Sequence, residues 1–430
     1  MEIRTYPRLN ETVFFERLSC GLPVAVVPRP GFTKKLCYFV TDYGSVHRVF
    51  TLDGVPMEAP AGVAHYLEHK LFDMPDRDIT AEFAALGAIP NAFTSYDLTA
   101  YYFSCTEHFE ENLKLLLEFV TTPYITEESV QKEQGIIGQE IAMNEDSPET
   151  RIFELLMEAM YENHPVREPI LGTRESIAKI TPQVLSDCHR AFYRPSNMLL
   201  CVVGDVDARQ VCQLAESCLT VTGAPAVTAT RQWQESMEVR SPFVSTRMDV
   251  AMPTFQLGFK CEQTGLGPEA VRRELIGDLA AEALFGESSA LYLRLYEEGI
   301  IDSSFGGGFE TMDGMAMLTA YGDSDFPEKI KEAIMTRAKE ILQEGICPED
   351  FLRMKRSILG RRIRDLDSFE ATCFRICAYH FSAFDYFSFP EVYKTVEIAD
   401  VYEFIARVVT PERCALCVIY PLEQEETDDV

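Results

Sequence analysis

The chain has 430 residues, 47% of them hydrophobic and 25% charged, which are the proportions of a folded globular protein and exclude a disordered or collagen-like one. At about 150 residues per domain, this length predicts two large domains or three ordinary ones. Acidic residues outnumber basic ones by 68 to 39, so the formal net charge is −29, and we expect neither nucleic acid nor an anionic membrane surface as a partner.

Hydrophobic periodicity predicts alternating strands and helices in the first half of the chain. Runs of strand length lie at 22–27, 36–42, 91–105 (a strand pair) and 198–203. Helical patterns lie at 60–86, 110–120, 126–144 and 181–192, and a further helix begins at Ser147-Pro148-Glu149. Thr126 and Ser147 stand where their side chains can cap the N-termini of their helices.

The second half repeats this order after a segment that interrupts it. Leu219 to Gln232 is rich in Thr and Ala and shows no apolar period, so we interpret 219–240 as a linker between domains. Strands are then predicted at 243–250, 255–260, near Phe305, at 315–321 and at 414–420. Helices are predicted at 268–285, 291–298, 326–344, 348–366 and 398–409. The matched order predicts a duplicated domain of the α+β class.

Cysteine usage and the N-terminus bear on the compartment. The 13 cysteines are scattered from Cys20 to Cys417 and do not form the spacing pattern of a disulfide framework. The first ten residues are polar and lack the apolar core of a secretory signal. No stretch approaches the ~20 apolar residues of a membrane helix. We therefore predict a cytoplasmic protein with reduced, mostly buried thiols.

The strongest functional signal is His65-Tyr66-Leu67-Glu68-His69 in the first predicted helix. Residues four apart lie on one face of a helix, so His65 and His69 can present two imidazoles to one metal ion. Glu68 borders the same face, where a carboxylate can take a proton from a water that zinc activates. The order H-x-x-E-H is the inverted form of the metallopeptidase motif. The alternative is a chance meeting of two surface histidines.

A catalytic zinc ion needs a third protein ligand, and the predicted helix at 126–144 offers two candidates. Glu133 and Glu140 are seven residues apart, two turns, so both project from one face. Ile136 and Ile137 lie along that side, which predicts that it faces the interior. One buried carboxylate could bind zinc and the other could accept a hydrogen bond from a ligand histidine. Spacing leaves their roles open, and either could be a solvated glutamate.

The motif at 65–69, followed by Glu133 and Glu140, resembles the pitrilysin/insulinase family of inverted-motif zinc peptidases. The resemblance covers nearly the whole chain and includes Gly87-Ala88, Asn91 to Tyr101, His164-Pro165, Gly172 and Phe192 to Met198. The size and the two halves are similar to the short, two-domain branch that contains mitochondrial processing peptidase and bacterial relatives.

The resemblance implies a role for each candidate residue. It implies that the zinc ligands are His65, His69 and Glu140. Glu68 would be the general base, and Glu133 would hold a ligand histidine. The segment that pairs with the substrate peptide would be an edge strand containing Asn91, Ala92, Phe93 and Thr94.

The resemblance also implies the architecture. Two tandem homologous α/β-sandwich domains, each a mixed sheet flanked by helices, would close like a clam around a chamber. The catalytic zinc-binding domain would span 1–218, followed by the linker at 219–240. The homologous domain at 241–430 would bind no metal and would end in an acidic tail.

The second half departs from the family pattern at one position. Members carry an Arg and, seven positions later, a Tyr, which help to hold and polarise the substrate. Arg294 fits the first position and is a candidate catalytic residue, but Ile301 stands at the second. Tyr296 is close in sequence but falls on another helix face. Gly286 to Ser289 replaces the glycine-rich loop of the non-catalytic processing-peptidase subunit, which favours a catalytic chain.

These observations favour a zinc-dependent endopeptidase that cleaves peptides or unfolded segments. The alternative, motivated by Ile301, is a metal-binding but non-proteolytic subunit that binds peptides as a scaffold in a hetero-oligomer. A third possibility is a zinc hydrolase of small esters or amides. The expected cofactor is Zn²⁺, and the family habit implies a homodimer or a heterodimer with a relative that lacks the motif.

Overall fold

The computed structural model describes residues 1–219, 225–230, 233–312 and 314–423. Packing divides the chain into two compact units, each assembled from three segments. The first unit consists of Met1–Ile141, Pro169–Arg231 and Arg361–Pro390. The second unit consists of Ala142–Glu168, Gln232–Gly360 and Glu391–Val430.

The strands found in the described residues are numbered in chain order. They are β1 (Glu2–Tyr6), β2 (Glu11–Arg17), β3 (Pro23–Pro28), β4 (Lys35–Thr41), β5 (Val49–Leu52), β6 (Val55–Glu58), β7 (Asp73–Met74), β8 (Arg77–Asp78), β9 (Ala88–Thr94), β10 (Thr99–Cys105), β11 (Met198–Gly204), β12 (Val227–Ala229), β13 (Phe243–Met248), β14 (Thr254–Cys261), β15 (Gly306–Met312), β16 (Met315–Asp323) and β17 (Cys414–Pro421).

The α-helices are numbered in the same way. They are α1 (Val63–Phe72), α2 (Ile79–Ala85), α3 (Phe109–Thr121), α4 (Glu127–Glu145), α5 (Pro148–Met160), α6 (Arg174–Ile177), α7 (Pro182–Phe192), α8 (Ala208–Cys218), α9 (Gly267–Phe285), α10 (Ala290–Glu297), α11 (Pro327–Glu344), α12 (Pro348–Arg364), α13 (Phe369–Phe381), α14 (Phe389–Thr395) and α15 (Ile398–Val408).

The first unit is built on a seven-stranded sheet with the order β1-β2-β3-β11-β4-β10-β9. β3 and β11 are parallel, and the other neighbours in the sheet are antiparallel. The sheet is therefore mixed, as predicted. The central strands β3, β4 and β11 are buried along nearly their whole length because both faces of the sheet are covered. β1 and β9 form its two edges.

Helices pack on both faces of this sheet. On one face, alternate residues of the central strands, among them Val26, Phe39 and Val202, form a hydrophobic core with buried side chains of α1, α3 and α7. The opposite face is covered by α13, which packs against β4 and β11. There the Cys373 thiol lies 3.9 Å from the backbone carbonyl oxygen of Cys201. The first unit is thus a layered α/β sandwich.

The second unit contains a five-stranded sheet with the order β13-β17-β14-β16-β15. β13 and β17 are parallel, and the remaining neighbours are antiparallel. Helix α5 packs against β13, β14 and β17, and α9 packs against β15. Gly258 makes room for α5, because a Cβ at this position would lie 2.6 Å from the sulfur of Met160. Two mixed sheets flanked by helices confirm the predicted fold class.

Two helices pack on the sheet of the opposite half of the sequence. Helix α5 precedes the predicted linker but belongs to the second unit, and α13 follows it but belongs to the first. The boundaries 1–218, 219–240 and 241–430 stay a prediction, and the compact units differ from them by this exchange of helices. Periodicity predicts an amphipathic helix but does not identify the sheet that its apolar face covers.

A buried ion pair holds the chain that follows α5 within the second unit. Lys260 donates from Nζ to the Met160 carbonyl oxygen at 2.7 Å and to the Glu235 carboxylate at 2.9 Å. The same carboxylate accepts the backbone N–H groups of Asn163 at 2.8 Å and His164 at 2.9 Å. This network gives the His164-Pro165 segment a structural role.

The strands and helices predicted in both halves are present to within a few residues, with one exception. The predicted helix at 60–86 is two helices, because α1 ends at Phe72 and the short hairpin of β7 and β8 precedes α2. Asp76 in this hairpin has a φ of 57°, which does not continue a helix. The sequence patterns did not indicate the β1–β2 hairpin, α8 or α13.

Parts of two sequence predictions lie outside the described residues. These parts are residues 220–224 and 231–232 of the predicted linker and residues 424–430 of the acidic tail. Within the described part of the linker, β12 pairs with β5 of the first unit. None of the described helices has the length and apolar character needed to cross a membrane. All 13 cysteines are free thiols.

Buried His189 on α7 is expected to make the stability of the first unit depend on pH. Its Nε2–H donates to the Val120 carbonyl oxygen at 3.0 Å, and its ring stacks on Tyr193. Burial lowers the pKa of His189 to about 4. In the unfolded chain the pKa is about 6.5, so below this pH the unfolded state takes up a proton that the folded state refuses.

The free energy of unfolding should therefore be highest above pH 6.5 and should fall by about 3 kcal/mol from this residue as the pH drops toward 4. Chemical denaturation of the wild type and of His189→Gln at pH 7 and pH 4.5 measures the effect. The loss between the two pH values should be smaller in the variant. Equal losses in the two proteins would show that His189 does not cause it.

Candidate metal centre

Helix α1 begins at a close backbone contact that requires glycine. Gly62, its N-cap residue, has a φ of 91°, and a Cβ there would lie 2.4 Å from the carbonyl oxygen of Leu171. Gly172 has a φ of 72°, and a Cβ there would lie 2.5 Å from the carbonyl oxygen of Ala61. Ser176 donates a hydrogen bond to the same Ala61 oxygen at 2.8 Å. These contacts fix the start of α1 and hence the direction of its side chains.

The sides of α1 have different surroundings. Val63, Leu67 and Leu71 are buried in the hydrophobic core of the first unit. His65 is also buried, and the side chain of His69 is 26% exposed. Because the two histidines are four residues apart, their rings lie one turn apart on the same side, with centroids separated by 4.6 Å.

Helix α4 supplies the carboxylates. Glu133 is buried, and the side chain of Glu140 is 37% exposed. Ile137 is buried on the same side of the helix, as predicted. The prediction is wrong for Ile136, which is 45% exposed. Consecutive residues are 100° apart around a helix, so a narrow buried stripe accommodates one of the two isoleucines and leaves the other in solvent.

The imidazoles of α1 and the carboxylates of α4 face one another. The Nε2 atoms of His65 and His69 lie 3.6 and 3.4 Å from the two carboxylate oxygens of Glu140. The Nδ1–H of His69 donates to Glu133 at 2.9 Å. One potential ligand atom from each of His65, His69 and Glu140 lies within 4.8 Å of the other two. No second group of this kind occurs in the described ranges of either unit.

The surroundings of these groups favour positive charge. Burial lowers the pKa of His69, but the hydrogen bond to Glu133 and the negative charges of Glu133 and Glu140 outweigh it and raise the pKa to about 10. The two imidazoles hold the pKa of the Glu140 carboxyl well below its usual range. Burial raises the pKa of Glu68, against the opposing effect of His65. The space between α1 and α4 therefore suits a cation.

The donor atoms fit a zinc ion. Tetrahedral zinc with bonds of 2.0–2.2 Å to nitrogen and oxygen spaces its ligand atoms about 3.3–3.5 Å apart. The distances from the two Nε2 atoms to Glu140, 3.4 and 3.6 Å, are close to this spacing and long for hydrogen bonds. Glu133 holds the second nitrogen of His69, whereas Nδ1 of His65 is buried without a hydrogen-bond partner in the described residues.

Glu68 connects α1 to the edge of the sheet. The Thr94 hydroxyl donates to Oε2 of Glu68 at 2.6 Å. Thr94 is the last residue of β9, the edge strand that contains all four residues predicted to contact the substrate. In this strand Asn91 is exposed, and Ala92 and Phe93 are half-buried. The predicted base and the predicted substrate strand are thus adjacent.

Arg294 belongs to the other compact unit. It is exposed on α10, so its assignment as a catalytic residue stays a prediction. Ile301, at the position where the family carries Tyr, is buried. Tyr296 is exposed on α10, and its ring stacks on that of Tyr292 with centroids 6.0 Å apart.

Two contacts in the first unit are not predicted by the sequence analysis. The Tyr66 hydroxyl donates to the backbone carbonyl of Val130 and so joins α1 to α4. The Thr94 hydroxyl bonds to Glu68, where the sequence predicts only a contact with substrate. The position of Tyr66 inside the motif was a usable signal, because a buried tyrosine hydroxyl needs a partner. The Thr94 contact depends on tertiary packing and has no local signal.

Comparisons with known proteins agree with this geometry. Residues 54–174 match the family model described as insulinase, peptidase family M16, and residues 179–358 match the model described as the peptidase M16 inactive domain. An uncharacterized zinc protease of Bacillus subtilis, YmfH, is 37% identical over 97% of this chain and 98% of its own length. A second from the same bacterium, YmxG, is 26% identical over 71% of this chain and 75% of its own.

A solved structure from Alicyclobacillus acidocaldarius, described as that of an M16-like peptidase, superposes with a TM-score of 0.91. It is 32% identical to this chain, and the alignment covers 96% of this chain and 99% of the other. The similarity thus extends over both compact units.

The hydrogen bond from His69 to Glu133 is expected to strengthen metal binding. Glu133→Gln keeps an acceptor oxygen but removes the charge, so the affinity for zinc should fall about 10- to 100-fold. Competition with a chromophoric chelator measures this affinity without reference to activity. Glu128→Gln, an exposed change on the same helix, is the matched control and should bind zinc like the wild type. Equal affinities in the two variants would contradict the prediction.

The contact at the start of α1 is expected to be intolerant of a side chain. Gly62→Ala combines a positive φ with a clash against Leu171, and should lower the free energy of unfolding by about 2 kcal/mol or more. Gly135→Ala in α4 is the control, because nothing lies within 4 Å of its added Cβ. This control should be neutral or slightly stabilising. Thermal unfolding of both variants measures the effect. A Gly62→Ala variant that unfolds at the wild-type temperature would contradict the prediction.

Proposed function

Because this chain belongs to the insulinase, or M16, family of peptidases, we propose that it is a zinc-dependent endopeptidase that cleaves peptides or unfolded segments. The observation that carries the proposal is the convergence of His65, His69 and Glu140 around one point, with Glu68 beside them. The relative of similar length in Bacillus subtilis is named a zinc protease, which supports the same class of reaction.

Each residue of the centre has a chemical task in this proposal. His65, His69 and Glu140 would hold the zinc ion, and Glu133 would keep His69 in the tautomer whose Nε2 lone pair is free for the metal. A bound zinc ion supplies a Lewis acid, which polarises a carbonyl group and makes a water molecule more acidic.

Glu68 would act as the general base. Its Oε2 is held by Thr94, which leaves Oε1 to take a proton from the attacking water. Burial raises the pKa of this carboxyl, and a raised pKa makes a carboxylate a better proton acceptor. The same carboxyl could then return the proton to the leaving amine.

The substrate would bind as an added strand beside β9. An edge strand has backbone N–H and C=O groups available for pairing, and extended peptides add to such edges. Thr94, at the end of β9, touches Glu68, so a peptide paired along Asn91 to Thr94 would pass close to the base. Recognition through the backbone would admit many sequences and would require an unfolded segment.

Glu68→Gln is expected to abolish peptide cleavage without loss of zinc, because the amide cannot take up a proton and Glu68 is not one of the three proposed ligands. A peptide mixture is digested with zinc-loaded wild type and variant, and the products are identified by mass spectrometry. Zinc content is measured in parallel. Glu107→Gln, an exposed change outside the centre, is the control and should cleave like the wild type.

Other outcomes would favour the other hypotheses. Turnover retained by Glu68→Gln would exclude this residue as the base. A folded wild type that carries zinc and binds peptides but releases no product, even with a motif-lacking relative present, would favour the scaffold hypothesis. Cleavage of a small ester with peptides left intact would favour a different zinc hydrolase.

A further inference from the structure

The carboxylate of Glu68 is held by one side-chain hydrogen bond. The Thr94 hydroxyl donates to Oε2 at 2.6 Å, the short distance of a bond to a charged acceptor. In the described residues no other hydrogen bond to this carboxylate is present. Thr94 lies in the edge strand, whereas Glu68 lies in α1, so this bond joins two elements that are distant in the chain.

A buried threonine, Thr99, lies next to Thr94. Thr99 is the partner of Thr94 in the β9–β10 register, and their hydroxyl oxygens are 3.4 Å apart. Thr99 is fully buried, and its hydroxyl donates to the backbone carbonyl of Tyr43 at 2.9 Å. The Thr94 hydroxyl directs its proton to Glu68, because the carboxylate oxygen at 2.6 Å is a nearer acceptor than the Thr99 hydroxyl at 3.4 Å.

Two buried tyrosines complete the surroundings of this pair. The hydroxyls of Tyr101 and Tyr193 are 2.8 Å apart, and Tyr193 also interacts with the Thr99 side chain. Burial raises the pKa of both tyrosines, and the negative charge of Glu68 adds to the effect. Both hydroxyls thus lie within electrostatic reach of Glu68. Tyr193, in the Phe192 to Met198 segment, thus interacts with Thr99, the register partner of Thr94.

From this geometry we infer that Thr94 is a positioning residue for Glu68. The hydroxyl occupies Oε2 and restricts the carboxylate to one orientation, so that Oε1 faces the reacting water. A base acts only within hydrogen-bond reach of the proton it removes, and restricting its rotamers raises the fraction of time spent there. The inference rests on the proposed function, in which Glu68 is the base, and it gives the Thr94 side chain a task other than contact with the substrate.

The test compares variants that separate the hydroxyl from the shape of the side chain. Thr94→Val keeps the shape but removes the donor, and Thr94→Ser keeps the donor. For a cleaved peptide, kcat of Thr94→Val should fall about tenfold or more with KM changed less than about twofold, and Thr94→Ser should regain most of kcat. Thr51→Val, on β5 and outside the site, is the control. Thr94→Ala is the second variant without a hydroxyl if Thr94→Val does not fold.

Two kinetic outcomes would overturn the inference. A raised KM with an unchanged kcat in Thr94→Val would make Thr94 a substrate contact. A Thr94→Ser variant as slow as Thr94→Val would show that the hydroxyl is not what matters. Unchanged zinc content and unfolding temperature in the same variants ensure that the change in kcat reports on the base.

Crystal structures of the zinc-free wild type and Thr94→Val provide a readout that does not depend on cleavage. The carboxylate of Glu68 should occupy one rotamer beside Thr94 in the wild type and should shift or spread over several rotamers in the variant. An unchanged Glu68 in both structures would overturn the inference. If the wild type cleaves no peptide but Glu68 does shift in Thr94→Val, the proposed function is refuted and the positioning contact still stands.

Discussion

The excess of negative charge between α1 and α4 is the constraint on which the rest of the centre depends. The carboxylates of Glu68, Glu133 and Glu140 meet two imidazoles in a largely buried space, and buried carboxylates are costly without a compensating positive charge. In the metal-free chain the negative charges of Glu133 and Glu140 raise the pKa of His69 to about 10, which favours a proton on its ring. A divalent cation must displace that proton, so metal uptake and proton release are linked. The backbone contacts that fix the start of α1 maintain the distances between the atoms that would bind the cation.

The part of the centre that could be predicted from sequence depends on the spacing of residues along single helices. Positions four apart on α1 and seven apart on α4 determine which side chains share a helix face, whatever the fold around them. The same rule is weaker for neighbouring positions, which is why Ile137 is buried and Ile136 is not. Thr94 and Glu68 are 26 residues apart, and their contact requires both the β9–β10 register and the packing of α1 beside β9. No local pattern contains that information.

The fold shows the same division between local and long-range information. Caps, prolines and apolar periods indicate where most helices and strands lie, because these signals act within a few residues. They do not indicate that α5 and α13 pack on the sheet of the opposite half. Gly258 leaves the space into which α5 packs. A glycine inside a strand indicates that another group approaches closely, but the adjacent residues do not identify α5 as that group. The apolar residues of the β1–β2 hairpin at the sheet edge do not alternate regularly with polar ones, so no strand pattern reveals it.

The exchange of α5 and α13 between the two halves affects the order in which the first unit can be completed during synthesis, as well as the folded structure. When β11 has been synthesised, at Gly204, one face of the first sheet still lacks its cover, since α13 ends at Phe381. At a translation rate of 5–20 residues per second, the face that includes Tyr38 and Cys201 waits roughly 10–35 s for its helix. The amino-terminal half therefore leaves the ribosome with one face of its sheet uncovered, and the first unit is completed only when α13 has been made.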